Sequence, residues 1–224
     1  MKLVTFQTIE ALESLKKNGY LICDESKINF KKVGYAYDWI VENMNNKVKN
    51  AEGIKYPMWA WVKCYNGICP PKRHGEPVKG YDVKITFNKN PEDVFITDFR
   101  RYSFLLNNTY IPDSIEDKNA FDVILKEYNI TEEDLQAYVR QDKYDSHRTD
   151  KEFLDVCEKI RNSFSKCITT DSDILQGCVW KINMEDVENI EILEDKTYTY
   201  GSLNYIRSNG KRINWREDLY KMLK

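Results

Sequence analysis

Two stretches of the chain place polar side chains among aromatic rings, the pattern here that is best suited to binding chemistry. The first reads Tyr35-Ala36-Tyr37-Asp38-Trp39, and the second ends in Trp59-Ala60-Trp61, so that two indoles stand two residues apart. Aromatic side chains dominate protein cores, and core packing is one interpretation. The other is a flat aromatic wall for a nucleobase or nicotinamide ring, with Asp38 as its polar handle.

Three side chains of the zinc-binding type occur in the spacing Cys64-x4-Cys69-x4-His74. A closed structural zinc site needs four ligands, usually with tight Cys-x2-4-Cys pairs, and no fourth ligand lies nearby. We therefore expect no bound metal. The six cysteines belong to a chain without an apolar export signal, so the sequence predicts reduced thiols and no disulfide bonds.

The charge balance and the glycine pattern exclude several classes of function. The 34 basic and 36 acidic side chains nearly cancel, so there is no general signal for nucleic-acid binding. Nowhere does an apolar stretch reach ~18 residues, so we expect no membrane span and a cytoplasmic protein. Neither G-x-x-x-x-G-K-[ST] nor G-x-G-x-x-G occurs among the nine glycines, which excludes P-loop and Rossmann nucleotide sites.

The elements that position the aromatic stretches follow from periodicity. Residues 3–6 form a β-prone run, after which Thr8 caps a helix of about three turns that Gly19 ends in the left-handed conformation. A second helix is predicted over residues 34–49, where apolar residues recur at helical spacing. Residues 56–63 alternate as a strand, with Trp59 and Trp61 on one face. Further strands are predicted over residues 81–87 and 94–97.

Charged, helical sequence occupies residues 114–167, and β-prone segments follow it. Capping boxes are predicted at Thr131-x-x-Asp134 and Thr149-x-x-Glu152. Strands are predicted over residues 178–182, 187–193 and 197–200, with a hairpin turn at Asn209-Gly210. Strand runs interrupted by one helical block predict an α+β fold, with a mainly antiparallel sheet flanked by helices. No linker divides the chain, so residues 1–224 are predicted to form a single domain.

Four short motifs connect the chain to a known family. They are Tyr56-Pro57-Met58-Trp59-Ala60-Trp61, Ala36-Tyr37-Asp38-Trp39, Thr97-Asp98-Phe99 and Ile174-Leu175-Gln176. On these motifs, and over most of its length, the chain resembles a family of uncharacterised bacterial proteins known as a domain of unknown function. That resemblance implies no activity.

A more distant resemblance is to the ADP-ribosyltransferase fold, especially the bacterial toxins that modify DNA. Phe6-Gln7-Thr8, followed by Leu12, Leu15 and Gly19, is similar to their opening strand and short helix. Residues 176–182, a turn at 183–186 and a strand at 187–192 are similar to the segment that begins with their catalytic glutamate. The resemblance implies a split sheet, NAD as the ligand and a role as a toxin or defence factor.

The same resemblance implies a set of site residues. The residues expected to line a nucleotide or NAD cleft are Gln7, Tyr37, Asp38, Trp59, Trp61 and Gln176. Gln176 stands at the position of the catalytic glutamate, but an amide cannot take a proton, so it is a candidate that does not act as a general base. The alternative function is a non-catalytic protein-interaction module on the same scaffold, with the partner surface on residues 114–167.

Overall fold

A six-stranded antiparallel sheet organises the computed structural model, which describes residues 1–28, 30–50, 52–63, 82–140, 148–193, 206–208 and 211–213. In chain order the strands are β1 (Lys2–Gln7), β2 (Tyr20–Ile22), β3 (Met58–Lys63), β4 (Val83–Asn88), β5 (Phe95–Asp98), β6 (Leu175–Val179), β7 (Lys181–Asn183), β8 (Val187–Ile192), β9 (Ile206–Ser208) and β10 (Lys211–Ile213). The helices are α1 (Ile9–Asn18), α2 (Phe30–Lys47), α3 (Phe99–Leu106), α4 (Ile115–Glu127), α5 (Glu132–Arg140) and α6 (Lys151–Ser163).

The large sheet has the strand order β5-β6-β3-β1-β4-β8, and every neighbouring pair in it is antiparallel. Two small sheets pair β2 with β7 and β9 with β10. Helices lie between the strands in sequence rather than alternating with them one by one. The predicted α+β class with a mainly antiparallel sheet is therefore confirmed.

The first strand and helix form as their residues predict. The Thr8 hydroxyl accepts a hydrogen bond from the backbone N–H of Ala11, over 3.2 Å, and so caps α1. Gly19 ends the helix with φ at +78°, a conformation that costs glycine little because it has no Cβ. Leu12 and Leu15, on the inner face of α1, are buried against the sheet.

Each face of the large sheet is covered by its own apolar core. On one face, Leu12 of α1 belongs to a cluster with Ile85 of β4. On the other face, Ile40 of α2 and Ile160 of α6 belong to a cluster with Phe95 of β5. Because both faces are covered, the central strand β6 is buried along its whole length.

The large sheet is weakly joined between β1 and β3. In the part of the chain that is described, one bridge pair, Val4 opposite Trp61, links these strands, whereas six pairs link β1 to β4 and five link β3 to β6. Beyond that bridge the Thr5 hydroxyl donates to the Trp59 carbonyl oxygen over 2.9 Å, where backbone groups would otherwise pair. The two strands therefore separate toward Gln7, and the sheet opens there.

The predicted helical block at residues 114–167 is confirmed as α4, α5 and α6. The capping box at Thr131 is also confirmed, because Thr131 N–H donates to the Asp134 carboxylate and Asp134 N–H donates to the Thr131 hydroxyl. The capping box at Thr149 is wrong. Asp150 is the N-cap of α6, and its carboxylate accepts from Phe153 N–H over 3.1 Å, so the helix begins one residue later than predicted.

Two predicted element boundaries are also wrong. The strand expected over residues 178–182 is divided, because β6 ends at Val179 and β7 begins at Lys181 in a different sheet. Trp180 lies at the break, and its indole N–H donates to the Val48 carbonyl oxygen over 3.2 Å, which anchors the chain beside the end of α2. Helix α2 begins at Phe30, one turn before the predicted start at residue 34.

Several predictions concern residues outside the described ranges. They are the Cys64, Cys69 and His74 loop, the strand over residues 197–200, and the Asn209-Gly210 turn itself. Strands β9 and β10 pair on either side of that turn, with Ser208 opposite Lys211.

The four cysteines within the described ranges are free thiols. No described helix is long and apolar enough to cross a membrane. The single domain over residues 1–224 stays a prediction.

Candidate functional site

A cavity of about 920 Å³ lies where β1 and β3 separate. Its walls come from α1, the β2 strand and the turn after it, α2, β3, α3 and β6. The residues predicted for the site that line it are Gln7, Tyr37, Trp59, Trp61 and Gln176. Five side chains that are far apart in sequence therefore meet in one space of the size that small-molecule ligands occupy.

Aromatic rings form one wall of the cavity. The Trp59 ring lies 4.8 Å from the Tyr102 ring, and its indole N–H donates to the Tyr37 hydroxyl over 3.2 Å. The Trp61 ring meets Phe99 edge to face, with 4.7 Å between ring centroids. The core-packing interpretation of these tryptophans is confirmed, and each tryptophan also borders the cavity, whereas binding of a nucleobase or nicotinamide ring stays a prediction.

Gln176 is a buried amide with an unused acceptor. It lies in β6, opposite Trp61 of β3 on one side and Thr97 of β5 on the other. Only 6% of its surface is exposed, and its Oε1 has no hydrogen-bond partner. A buried carbonyl without a partner costs about 1–3 kcal/mol, so this position favours a ligand that donates a hydrogen bond.

Gln7 helps to define the edge of the opening. Its Nε2 donates to the Thr5 hydroxyl over 2.8 Å, and that hydroxyl donates in turn to the Trp59 carbonyl oxygen. This chain of hydrogen bonds crosses from β1 to β3 where the backbone ladder has stopped. Gln7 therefore positions the two strands at the mouth of the cavity.

Asp38 does not belong to this group of residues. It is exposed on α2 and does not line the cavity, although the neighbouring Tyr37 does. Successive residues of an α-helix point about 100° apart, so the turn that directs Tyr37 to the cavity directs Asp38 to solvent. The prediction that Asp38 is the polar group of the aromatic wall is thus wrong. Gln176 is a polar group beside the tryptophans.

Phe99 and Tyr102 are site residues that the sequence analysis missed. Both belong to α3, whose N-cap Asp98 accepts from the backbone N–H groups of Arg100 and Arg101. An aspartate followed by aromatic residues three apart is a recognisable helix start, and it would have indicated this element. The Tyr102 hydroxyl is buried without a hydrogen-bond partner, and burial raises its pKa well above the ordinary value.

The charged residues around the cavity are mostly acidic. Glu10, Asp24 and Glu25 line it together with one base, Lys27. A hydrogen bond from Thr8 lowers the pKa of Glu10, and one from Ser26 lowers the pKa of Asp24, so both are ionised at neutral pH. This lining is unfavourable for a phosphate group and suits a neutral or cationic ring.

Cys23 also lines the cavity, but it is not an activated nucleophile. Burial and the neighbouring carboxylates of Asp24 and Glu25 raise the pKa of its thiol to about 11. The thiolate is the reactive form of cysteine, and very little of it is present at neutral pH. Among the described residues no cluster of histidine, cysteine and carboxylate side chains could hold a metal ion.

Comparison with known proteins identifies a family. The chain matches no curated protein and no solved structure. Residues 2–188 match the family described as "Domain of unknown function (DUF3841)". This match spans the six helices of the described ranges and every residue assigned above to the cavity. The chain therefore belongs to the DUF3841 family.

Proposed function

We propose that this protein is an ADP-ribosyltransferase-like nucleotide-binding protein whose cavity holds a ring of NAD or a related nucleotide. The observation that carries the proposal is the unpartnered Oε1 of Gln176 in a cavity walled by Trp59 and Trp61. A planar ring would stack on the indoles while an N–H group on its edge donates to this oxygen. The opening between β1 and β3 also agrees with the split sheet that the resemblance implies.

The charges of the residues that line the cavity favour binding of the ring of the ligand rather than of its phosphates. Three carboxylates and one lysine border the cavity, so a diphosphate would meet net repulsion there. We therefore propose that the phosphates of a dinucleotide lie outside this lining. A nicotinamide ring in its oxidised form carries a positive charge, which suits both the aromatic faces and the acidic border.

Binding without turnover is the activity that Gln176 supports. A glutamine can accept a hydrogen bond from a ligand, but it cannot remove a proton or place a negative charge beside an oxocarbenium-like centre. The cavity thus has a recognition group at the position where the resembling toxins have their catalytic acid. Replacing Gln176 with glutamate should introduce measurable NAD hydrolysis, if the reacting bond lies where the resemblance implies.

The proposal is tested by thermal unfolding of the protein with NAD, ADP-ribose, nicotinamide, ADP and AMP. A ligand present at a hundred times its dissociation constant adds about 2.7 kcal/mol to the free energy of unfolding. We expect stabilisation by NAD, and weaker NAD binding by Gln176→Ala by about 0.5–1.5 kcal/mol. Asp38→Asn is the matched control, since Asp38 is exposed outside the cavity and its variant should bind NAD normally. No stabilisation by any of the five compounds contradicts the proposal.

A non-catalytic protein-interaction module is the second candidate function. Four large apolar side chains are exposed on the helical block at residues 114–167, namely Val123, Tyr128, Tyr138 and Leu154. Exposed apolar side chains that form a contiguous patch are typical of contact regions, so this function requires that some of these four lie side by side. A flat response to the nucleotide panel, together with loss of self-association or partner binding in a Tyr138→Ser, Leu154→Ser variant, would favour this function.

A further inference from the structure

Four buried side-chain atoms in the described part of the chain have no hydrogen-bond partner. They are Thr97 Oγ1, Arg100 Nε, the Tyr102 hydroxyl and Gln176 Oε1. Native proteins leave few such groups unpaired, and each needs a physical reason. Only Tyr102 and Gln176 among the four also line the cavity. Two residues that carry unused polar groups therefore line the same space.

The two groups are related through the tryptophans of β3. Trp61 and Gln176 are opposite one another on β3 and β6, and Trp59 is opposite Cys178 one step along the same face. Tyr102 packs on Trp59, with 4.8 Å between ring centroids. Positions two residues apart on a strand are separated by about 6.6 Å. Tyr102 and Gln176 thus border neighbouring parts of the wall that Trp59 and Trp61 form.

The two groups have complementary hydrogen-bonding roles. The Gln176 carbonyl oxygen only accepts, whereas a tyrosine hydroxyl that stays protonated can donate. Burial raises the pKa of the Tyr102 hydroxyl well above its ordinary value, so it remains a donor throughout the neutral pH range. Two residues of the cavity lining therefore offer one donor and one acceptor.

We infer that Tyr102 and Gln176 together recognise, through hydrogen bonds, the edge of a planar ring that carries a hydrogen-bond acceptor beside an N–H donor. A ring carboxamide has this pattern, and so does the amino edge of adenine. The inference rests on the proposed function, and it adds the specificity of the site. A carboxylate in place of the carboxamide would still accept from Tyr102 but would leave the Gln176 oxygen without a donor. A ring edge with its donor and acceptor exchanged would match neither protein group, so both changes disfavour binding.

Three dinucleotides that differ at one ring edge test this inference. They are NAD, its analogue with nicotinic acid in place of nicotinamide, and its analogue with hypoxanthine in place of adenine. We expect NAD to bind about tenfold or more tightly than one of the two analogues, and the analogue that loses affinity identifies which ring occupies the site. Equal dissociation constants for all three would overturn the inference and leave the proposed function standing. No binding of NAD would overturn both.

Variants separate a specific contact from general stability. Tyr102→Phe and Gln176→Met remove the two groups while nearly keeping their volume, and each should reduce the discrimination between NAD and the rejected analogue by about fivefold or more. Thr97→Val is the matched control, because its hydroxyl is equally buried and unpartnered, lies opposite Gln176 in register and does not line the cavity. Thr97→Val should discriminate as the natural protein does. Discrimination that survives both Tyr102→Phe and Gln176→Met would contradict the assignment.

Discussion

At the scale of single residues, the cavity depends on polar groups that the fold leaves without partners. Gln176 contributes a buried carbonyl that no protein group satisfies, and Tyr102 contributes a buried hydroxyl in the same condition. Such groups lower stability, since each loses its hydrogen bonds to water and gains none in the folded chain. Their presence in a cavity is therefore more informative about function than the neighbouring tryptophans, which also serve the core.

Replacing Gln176 with methionine is expected to leave the free energy of unfolding unchanged or to raise it by about 1 kcal/mol. Methionine fills a similar volume and removes the unpartnered carbonyl. Urea unfolding measures the effect. Gln7→Met is the matched comparison, because it removes an amide whose hydrogen bond to Thr5 is made, and it should lose about 0.5–1.5 kcal/mol. A loss above about 2 kcal/mol for Gln176→Met would show that its amide stabilises the fold.

Alkylation of Cys23 is expected to be slow at pH 8 and to accelerate about tenfold for each pH unit up to pH 10. Its thiol pKa of about 11 leaves roughly one molecule in a thousand as thiolate at pH 8. Mass spectrometry of the labelled peptide follows this cysteine separately from the others. A free cysteine in a short peptide is the reference. A rate at pH 8 equal to that of the peptide would contradict the buried, acidic surroundings of Cys23.

At the scale of elements, two strands place the site by alternation. β3 directs Trp59 and Trp61 toward the helical side, while Ala60 between them joins the core beneath α1. In β6, Gln176 likewise points to the helical side, and Gly177 points to the core beneath α1. A Cβ on Gly177 would lie 2.7 Å from Val94 Cγ1 and 2.9 Å from Val62 Cγ2, so the neighbour of Gln176 is held to the smallest residue by packing on the opposite face.

The start of α6 gives a test of helix capping. Asp150→Ala should lower the free energy of unfolding by about 1 kcal/mol, because the Phe153 N–H loses its acceptor. Thr149→Ala, at the position that sequence pattern alone favours, should change it by less than about 0.5 kcal/mol. Asp150→Asn keeps a capping oxygen but loses the ion pair with Arg148, and it isolates the cap. Chemical denaturation compares the three variants. A larger loss for Thr149→Ala than for Asp150→Ala would show that the cap is assigned to the wrong residue.

At the scale of the whole molecule, the covered sheet explains how a cavity of about 920 Å³ coexists with two dense cores. The two cores lie on opposite faces of the sheet. The opening between β1 and β3 lies at the mouth of the cavity, where neither core fills the space between the two strands. The strong pairings of β1 with β4 and of β3 with β6 hold the two halves of the sheet rigid on each side. The cavity is thus built on the opening of the sheet, and the turn after β2 adds to its wall.

Buried acidic groups with raised pKa values predict that the protein loses stability in base. Burial raises the pKa of the Cys167 and Cys178 thiols and of the Tyr102 hydroxyl. Above about pH 8.5 the unfolded chain releases these thiol protons while the folded chain retains them, so the unfolded state binds fewer protons and is favoured as pH rises. The free energy of unfolding should therefore fall by roughly 3 kcal/mol between pH 8.5 and 10 from the two thiols alone.

Urea unfolding under reducing conditions at several pH values measures this dependence. Cys178→Ala is the control, because it removes one ionising thiol and should make the fall between pH 8.5 and 10 smaller by about 1.5 kcal/mol, whatever its effect at pH 8. A free energy of unfolding that is the same at pH 8 and pH 10 would contradict the burial of these thiols in the folded protein.

Local and periodic features of this protein were determined by its sequence alone. Thr8 and Gly19 bound α1 because capping depends on a few adjacent residues, and the indoles of Trp59 and Trp61 share a face because a strand has a period of two. The helical block at residues 114–167 followed from apolar spacing and charge. Five of the six expected site residues line one cavity, and Gln7 and Gln176 among them were expected from the ADP-ribosyltransferase resemblance rather than from periodicity.

Tertiary structure alone decided the remaining features. Whether β1 pairs with β3 along its whole length or at one bridge depends on the packing of α1, α2 and α3 around both strands, which no local pattern encodes. The same packing rotates Asp38 to solvent, brings Tyr102 of α3 over Trp59 and turns the chain at Trp180 into a second sheet. Each outcome is a contact between residues distant in sequence, and its free energy depends on the assembled fold rather than on the neighbours of any one residue.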